Sequence, residues 1–524
     1  MILLSTIVAQ GQIRIGGNVY GGGNHAEVKG STKVTVKAGD IGAVMDPNAT
    51  RPLEDPQGKV YGGARMANVG GNAFVHIDGK SVLAKGTPNY ILINQVYGGN
   101  DIAGQIGTGT VPTELEAVKR VPADANDSTK NVVDNTFNTF VRISTKVLMD
   151  ADNIVRYSQS EVDLASTDPD NAAYGKTPGV DAKPDPDARK VYIGQLFGGG
   201  NGDFTYLDAN GGSLRDNGDY IAKQGNIIIA RSKTPLRLPE QDKTYLEIKG
   251  GSIVYGYGGG NNATVKEQNI IHFDNPSAVV NHIKVDANGI ENENGTDLLT
   301  TARFKEMGIN TTFSQPSSGA YQVGRFFGGN NKAEMHIRPT WNLLAGKVRN
   351  LYSGGNRGAM TSPTGLLLEI KDYSSLIVDN LYGGCRMADV KPTVNGEYTP
   401  CTNLPGYSFP NELSARVLVK GGHINNVYGG NDVTGTVYGG NAVGIYTSVY
   451  GNVYGGGNGA YPYTDLISED NETYGETYGD FHYNVTTGKS VDALNAFRPN
   501  AEQVSIRLKG KMPNTRPSSK VLSL

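Results

Sequence analysis

Tryptophan occurs once in 524 residues and cysteine twice, and each scarcity narrows what the chain can be. Two cysteines, Cys385 and Cys401, cannot build the disulfide framework of a small secreted module, and their spacing fits no metal motif; one bridge and two unpaired thiols both stay open. No apolar run approaches the roughly 18 residues that a membrane-spanning helix needs. A surplus of one charge is lacking too. The balance of 48 basic and 51 acidic residues gives a formal −3, which leaves no electrostatic footprint for a nucleic acid. The seven histidines (25, 76, 272, 282, 336, 423 and 482) show no paired ligand spacing, so neither a metal nor a cofactor is expected.

What the chain does have is glycine, 71 residues of it, and tyrosine, 28. The glycine share is about twice the usual ~7%. It falls in doublets and triplets over the whole length, without the every-third spacing of collagen. The octet "GNVYGGGN" occurs at 17–24 and again, letter for letter, at 451–458. Between them an apolar residue, an aromatic and glycines recur, placing Tyr20, Tyr61, Tyr97, Phe197, Tyr257, Phe327, Tyr352, Tyr382, Tyr428, Tyr438 and Tyr454 at equivalent positions. A phosphate-binding glycine loop appears once, between a strand and a helix. Eleven copies with no helical pattern after them are a repeat instead.

Three frames make up that repeat. Before the ring stand "INQVY", "IGQLF", "VRNLY" and "VDNLY"; after the glycines come "NHAEV", "RMANV", "NNATV" and "RMADV"; a third frame reads "KVTVKAG", "FVHIDG", "YLEIKGG" and "RVLVKGG". Each alternates apolar with polar residues, as a strand with one buried face does. The expected fold is therefore all-β: a single elongated right-handed parallel β-solenoid, with three short strands per coil and long loop insertions. Neighbouring copies 25 (Phe327 to Tyr352) and 30 (Tyr352 to Tyr382) residues apart suit stacked coils that bury a shared core. Corner glycines at Gly21, Gly22, Gly62, Gly63, Gly98, Gly99, Gly383, Gly384, Gly429, Gly430, Gly455 and Gly456 would allow φ > 0 and close backbone approach. Asparagines beside them are suited to hydrogen-bonded ladders.

The pattern resembles the glycine-rich "VYGGGN" repeats of large secreted or surface proteins of gut bacteria, of right-handed parallel β-helix type. That resemblance covers most of 13–110, 190–265 and 320–460. It implies a secreted or cell-surface location and an adhesive or scaffolding role, with glycans or surface proteins as partners.

Residues 1–12, "MILLSTIVAQGQ", read as the end of a secretory signal without its basic region, or as an N-terminal cap strand. Repeats are expected over 13–510, insertions near 107–190, 262–322 and 391–415, and a polar tail over 511–524. Within the first insertion, 140–149 still reads as a strand. No sorting domain is recognisable at the end, so a truncated copy or attachment through a partner is expected, with self-association through exposed strand edges.

Three functions compete. A non-enzymatic adhesin or scaffold is expected first, because no acid/base constellation stands out. A carbohydrate-active parallel β-helix enzyme, polysaccharide lyase or glycoside hydrolase, would need convergent carboxylates; Asp168, Asp170, Asp181, Asp185 and Asp187 are the densest set, in a loop-like stretch. A phage tail-fibre segment is third and would form trimers. Tyr20, Tyr61, Tyr97, Tyr352, Tyr382, Tyr428, Tyr438 and Tyr454 are the candidate binding residues. Facing outward, their column would be a ladder for sugar rings or protein. Phe substitutes freely in it, however, which favours internal stacking and leaves 150–190 and 391–415 as the contact surface.

Overall fold

The computed structural model describes residues 13–42, 57–79, 90–110, 136–145, 190–280, 321–401, 413–460 and 498–509, with short strands at 120–124, 127–133, 155–156, 181–182, 283–286, 289–292, 476–477 and 480–481. Among these residues there are strands and turns and no helix.

Two parallel ladders organise the molecule. In the first, Thr32–Val36, Ala73–Gly79, Thr139–Thr145 and Glu240–Lys249 pair in succession with no slip across Val34, Val75, Val141 and Leu246. Thr32–Val36 lies at the end of this ladder and alternates buried with exposed residues, whereas Ala73–Gly79, paired on both sides, is buried almost throughout. In the second ladder, Tyr90–Tyr97, Lys190–Phe197 and Ser252–Tyr257 pair ring over ring. Arg325–Phe327, Thr340–Tyr352, Ile377–Tyr382, His423–Tyr428 and Val453–Tyr454 continue it. Valines, isoleucines and leucines from both ladders meet in one continuous apolar core. Each fully buried side chain of this kind contributes about 1.5–3 kcal/mol.

The expected solenoid of three strands per coil is not what forms. Seventeen of the described strands join into one sheet, beside a separate four-stranded parallel sheet of Leu366–Ile370, Ala415–Val419, Asn441–Ile445 and Val504–Leu508, and no closed three-strand coil is present among the described residues. Two causes are visible. The frame after the glycines, read as a strand, makes single bridges at Val28 to Val69 to Ile106 and at Met335 to Met360 to Val390 to Val437; at "NNATV" alone among the described copies Thr264 and Val265 open a full strand, paired with Glu240 and Gln241. Its flanking turns bond to the equivalent turns of the adjacent rung, Arg65 to Gly23 and Met387 to Asn356 for example, without the extended pairing of a strand. Second, Thr264–Val280 and Thr340–Tyr352 run on through the place where a corner was expected and fuse the two ladders into one sheet.

The insertions also fall differently. Residues 264–274, placed in an insertion by sequence, belong to the main sheet, whereas the strand expected at 140–149 is found as Thr139–Thr145, a full member of the first ladder. An unexpected excursion at 203–238 carries a three-stranded antiparallel sheet, Arg215–Asp216, Asp219–Gln224 and Ile227–Ser232. It has a small core of its own in which Phe204, Tyr206, Ile229 and Leu236 pack on Ile102. Residues 1–12 and 511–524 lie outside the described residues, as do most of 150–190 and residues 402–412.

Candidate functional site

The repeated ring forms an unbroken stack of Tyr20, Tyr61, Tyr97, Phe197, Tyr257, Phe327, Tyr352, Tyr382, Tyr428 and Tyr454. Centroids are 4.5–5.0 Å apart and planes diverge by 2–17°. That spacing is the ~4.8 Å between hydrogen-bonded strands, so in-register pairing dictates the stacking. From Tyr61 to Tyr382 the rings are buried; Tyr20 and Tyr428 are partly so, and Tyr454 is exposed. Tyr438, expected in the same column, is elsewhere. Val437 occupies the bridge position beside Val390, Gly439 and Gly440 turn the chain at φ 70° and 96°, and the Tyr438 ring lies against Tyr398 with Lys391 near its face.

The glycines after the ring serve close approach rather than positive φ. A side chain at Gly62, Gly98, Gly383 or Gly429 would overlap the carbonyl oxygen of the corresponding glycine one rung on, and one at Gly63 or Gly384 would overlap Asn100 or Asn431. Left-handed conformations recur at another corner, the one that leads into the second ladder, at Gly39, Gly251 and Gly422 with φ of 121°, 85° and 76°. At those residues a β-carbon would strain the backbone.

Four residues after each ring stands a polar side chain, and these too form a ladder. Asn201 donates to Asp101, Asn261 to Asn201, Asn331 to Asn261, Asn356 to Asn331, and Arg386 to Asn356, at 2.8–3.0 Å. A carboxylate only accepts and a guanidinium only donates, so Asp101 and Arg386 terminate the run and every amide between them is satisfied. Arg65 donates to Asn24 below it, and Asn458 to Asp432 above. The phenols reach this ladder two rungs on. Tyr20 donates to Asp101 at 2.9 Å, Tyr61 accepts from Asn201 at 3.2 Å, and Tyr352 donates to Asp432 at 2.6 Å. Burial first, then the carboxylates Asp101 and Asp432, push the Tyr61 and Tyr352 phenols well above the usual tyrosine range. Such phenols are structural hydrogen-bonding groups rather than acids ready to ionise.

A second polar group occupies the outer face of the first ladder. Arg142 Nε lies 2.5 Å from Glu247, which is fully buried; Lys249 bridges Glu247 and Asp274 at 3.3 Å each; His272 lies 3.4 Å from Asp274. His76, hydrogen-bonded to Ser144, is held down to about 4 by burial, with the Arg142 charge acting the same way. Burial alone would raise Asp274, but the His272 hydrogen bond and the Lys249 charge outweigh it and hold the carboxyl below its ordinary range. The group is a network of paired charges.

The remaining candidates scatter. Cys385 and Cys401 are both buried and unpaired with each other, and burial pushes the Cys385 thiol up to about 12. Of the acidic set, Asp168, Asp170, Asp185 and Asp187 lie outside the described residues, while Asp181 pairs with Arg156 in a two-residue antiparallel ladder. His25 is exposed, His336 bonds Thr361, and His423 stacks on Tyr450; His282 and His482 are outside the described residues. Among the described residues no three His, Cys, Asp or Glu side chains are grouped to hold a metal, and no helix is long and apolar enough to cross a membrane.

Sequence reasoning missed the polar ladder's ends and the Arg142–Glu247 group. The first had a signal: "RM" then "ND" follow the ring glycines at 65–66 and 100–101, and again at 386–387 and 431–432. The second had none, because Arg142 and Glu247 are 105 positions apart. No family description, curated protein or solved structure matches the chain.

Proposed function

We propose that the chain is a non-enzymatic repeat protein of the adhesin or scaffold type, acting at a cell surface or after secretion and presenting an extended β surface to glycans or other surface proteins. The observation that carries this reading is the ring stack. Its aromatic side chains, the residues best suited to gripping sugars, are consumed in holding successive strands together, and its polar ladder is satisfied from within. A chain that spends its repeat on cohesion gains length and rigidity, which suits display rather than turnover. The contact surface is then the outer strand faces and the excursions between repeats.

An enzyme acting on polysaccharides is the second reading, favoured by Arg142, Glu247, Lys249, His272 and Asp274 lying together on adjacent strands. The pairing of each carboxylate with a cation weighs against it, since a general acid needs a raised pKa. Incubation with acidic and neutral polysaccharides, reading new reducing ends and unsaturated products, separates the two. The scaffold reading expects retention on a glycan or surface-protein array without product. Turnover that Glu247→Gln abolishes while the fold persists would overturn it.

A further inference from the structure

The two ends of the described ladders carry the same repeat, though the core-facing Val34 and Val36 of the first rung are each only 8% exposed. At the last rung Val504, Ile506 and Leu508 are 51%, 45% and 75% exposed, although the residues they pair with, Asn441, Val443 and Ile445, are buried. Tyr454, stacked on Tyr428, is 44% exposed and carries no second ring among the described residues, and around Gly456 nothing lies within 4 Å of where a β-carbon would be. At the first rung stands the second copy of the same octet, 17–24, with Val19 and Tyr20 paired on one side to Val60 and Tyr61.

We infer that the last rung of one chain receives the first rung of a second copy, head to tail, so that the parallel ladders and the ring stack continue from molecule to molecule. The inference deepens the scaffold reading by naming a partner, and five structural series support it. Tyr20 of the second copy would stack on Tyr454 as Tyr454 stacks on Tyr428. Val34 and Val36 would cover Ile506 and Leu508, as Val75 and Ile77 cover Val34 and Val36. The backbone follows the same rule: each rung's first glycine amide donates to the next rung's ring carbonyl, Gly21 to Tyr61 and Gly429 to Tyr454, both at 2.9 Å, and Gly455 holds that place on the last rung. Finally, the Asn18 side chain accepts from the Lys59 amide and Asn426 from the Asn452 amide, at 2.9 and 3.0 Å, so Asn452 is placed to accept from Asn18 of the incoming copy. The polar ladder runs in the matching sense, higher rung donating to lower, so Asn24 would donate to Asn458. Such an interface joins two different surfaces and does not close on itself, so it propagates as a linear assembly.

The test uses the full chain. Sedimentation and light scattering should show mass rising with concentration, in elongated particles. Gly456→Arg, which fills space that is empty in the single molecule, should abolish that rise without altering circular dichroism or melting. In a Thr35→Cys, Arg507→Cys chain the two positions meet across the interface at strand-pair distance, which a disulfide can span. Mild oxidation should then give a ladder of covalent oligomers, whereas each single variant should give dimers at most. Wild-type protein that stays monomeric at all concentrations would overturn the inference, showing that the chain covers its own end. Efficient dimers from Arg507→Cys alone would overturn it in favour of tail-to-tail pairing. A monomer that still binds its array ligand leaves the scaffold reading standing; turnover of a polysaccharide would remove that reading while leaving the assembly result intact.

Discussion

Tyr352 and Tyr454 hold the same place in the same repeat, yet one is 1% exposed and the other 44%. Nothing in their local sequence, "LYSGGN" against "VYGGGN", accounts for the difference. Tyr352 lies between Phe327 and Tyr382, and its phenol is bonded to Asp432 two rungs away; Tyr454 has, among the described residues, a stacked ring on one side. In a parallel ladder burial is conferred by the adjacent copies, so one motif makes a core residue in the middle and a docking surface at the end.

The largest effect that can break this comparison lies at glycine. Gly98→Val forces a side chain into the Gly198 carbonyl and against the buried Val141 side chain, and is expected to abolish folding. Gly456→Val enters open space and should leave the melting temperature within a degree or two. Equal behaviour of the two variants would mean that glycine serves flexibility rather than close approach.

A smaller effect is expected at the carboxylate that the interior phenol depends on. Asp432→Ala leaves the buried Tyr352 hydroxyl and the Asn458 amide without their acceptor and should cost about 1–3 kcal/mol, measured as a shift in denaturant midpoint. Asn458→Ala, nearer the open end, should cost about 1 kcal/mol or less. A larger loss for Asn458→Ala would place the weight of the ladder at the end.

Smaller still, and graded, is the response to pH. The Tyr61, Tyr97 and Tyr352 phenols have folded pKa values raised by burial, with neighbouring carboxylates adding to it. Their contribution is complete below the unfolded tyrosine value of about 10 and is lost as pH rises beyond it. On the acid side His76, at about 4 when folded, binds a proton in the unfolded chain first, so stability falls as pH drops below about 6.5. Asp274 and Glu369 have lowered folded values: burial opposes the shift, and His272 and Lys249, or Lys371 and Lys420, outweigh it. Their contribution is likewise lost as pH falls through those values. Denaturant midpoints from about pH 4 to about pH 11 should describe a plateau with two falling limbs; a profile flat above pH 10 would contradict the buried phenols.

Much of this was legible in the chain. The ring spacing and the apolar alternation of Val34 and Val36 or Val417 and Val419 identified parallel strands, because period two and in-register copies leave little alternative. The asparagines pointed to a ladder. What was hidden depended on neighbours. Tyr438 carries the same four letters as a true rung, but the two-residue strand before it, Thr436–Val437, pairs with Asn500–Ala501 and bridges to Val390, which shows that it belongs to a different corner. The fusion of two ladders at Thr340–Tyr352 was likewise invisible, since Gly346 there has the φ of 133° expected of a corner while the strand continues past it. The excursion at 203–238 has ordinary strand composition and no ring motif to set it apart.

The most direct measurement sets Tyr352→Ala beside Tyr454→Ala in equilibrium unfolding of the full chain at low protein concentration. Emptying the interior position should cost about 3–5 kcal/mol, and truncating the end position about 1 kcal/mol or less. Losses that are equal and small for both would contradict a sealed ring stack and return the aromatic column to the candidates for ligand binding.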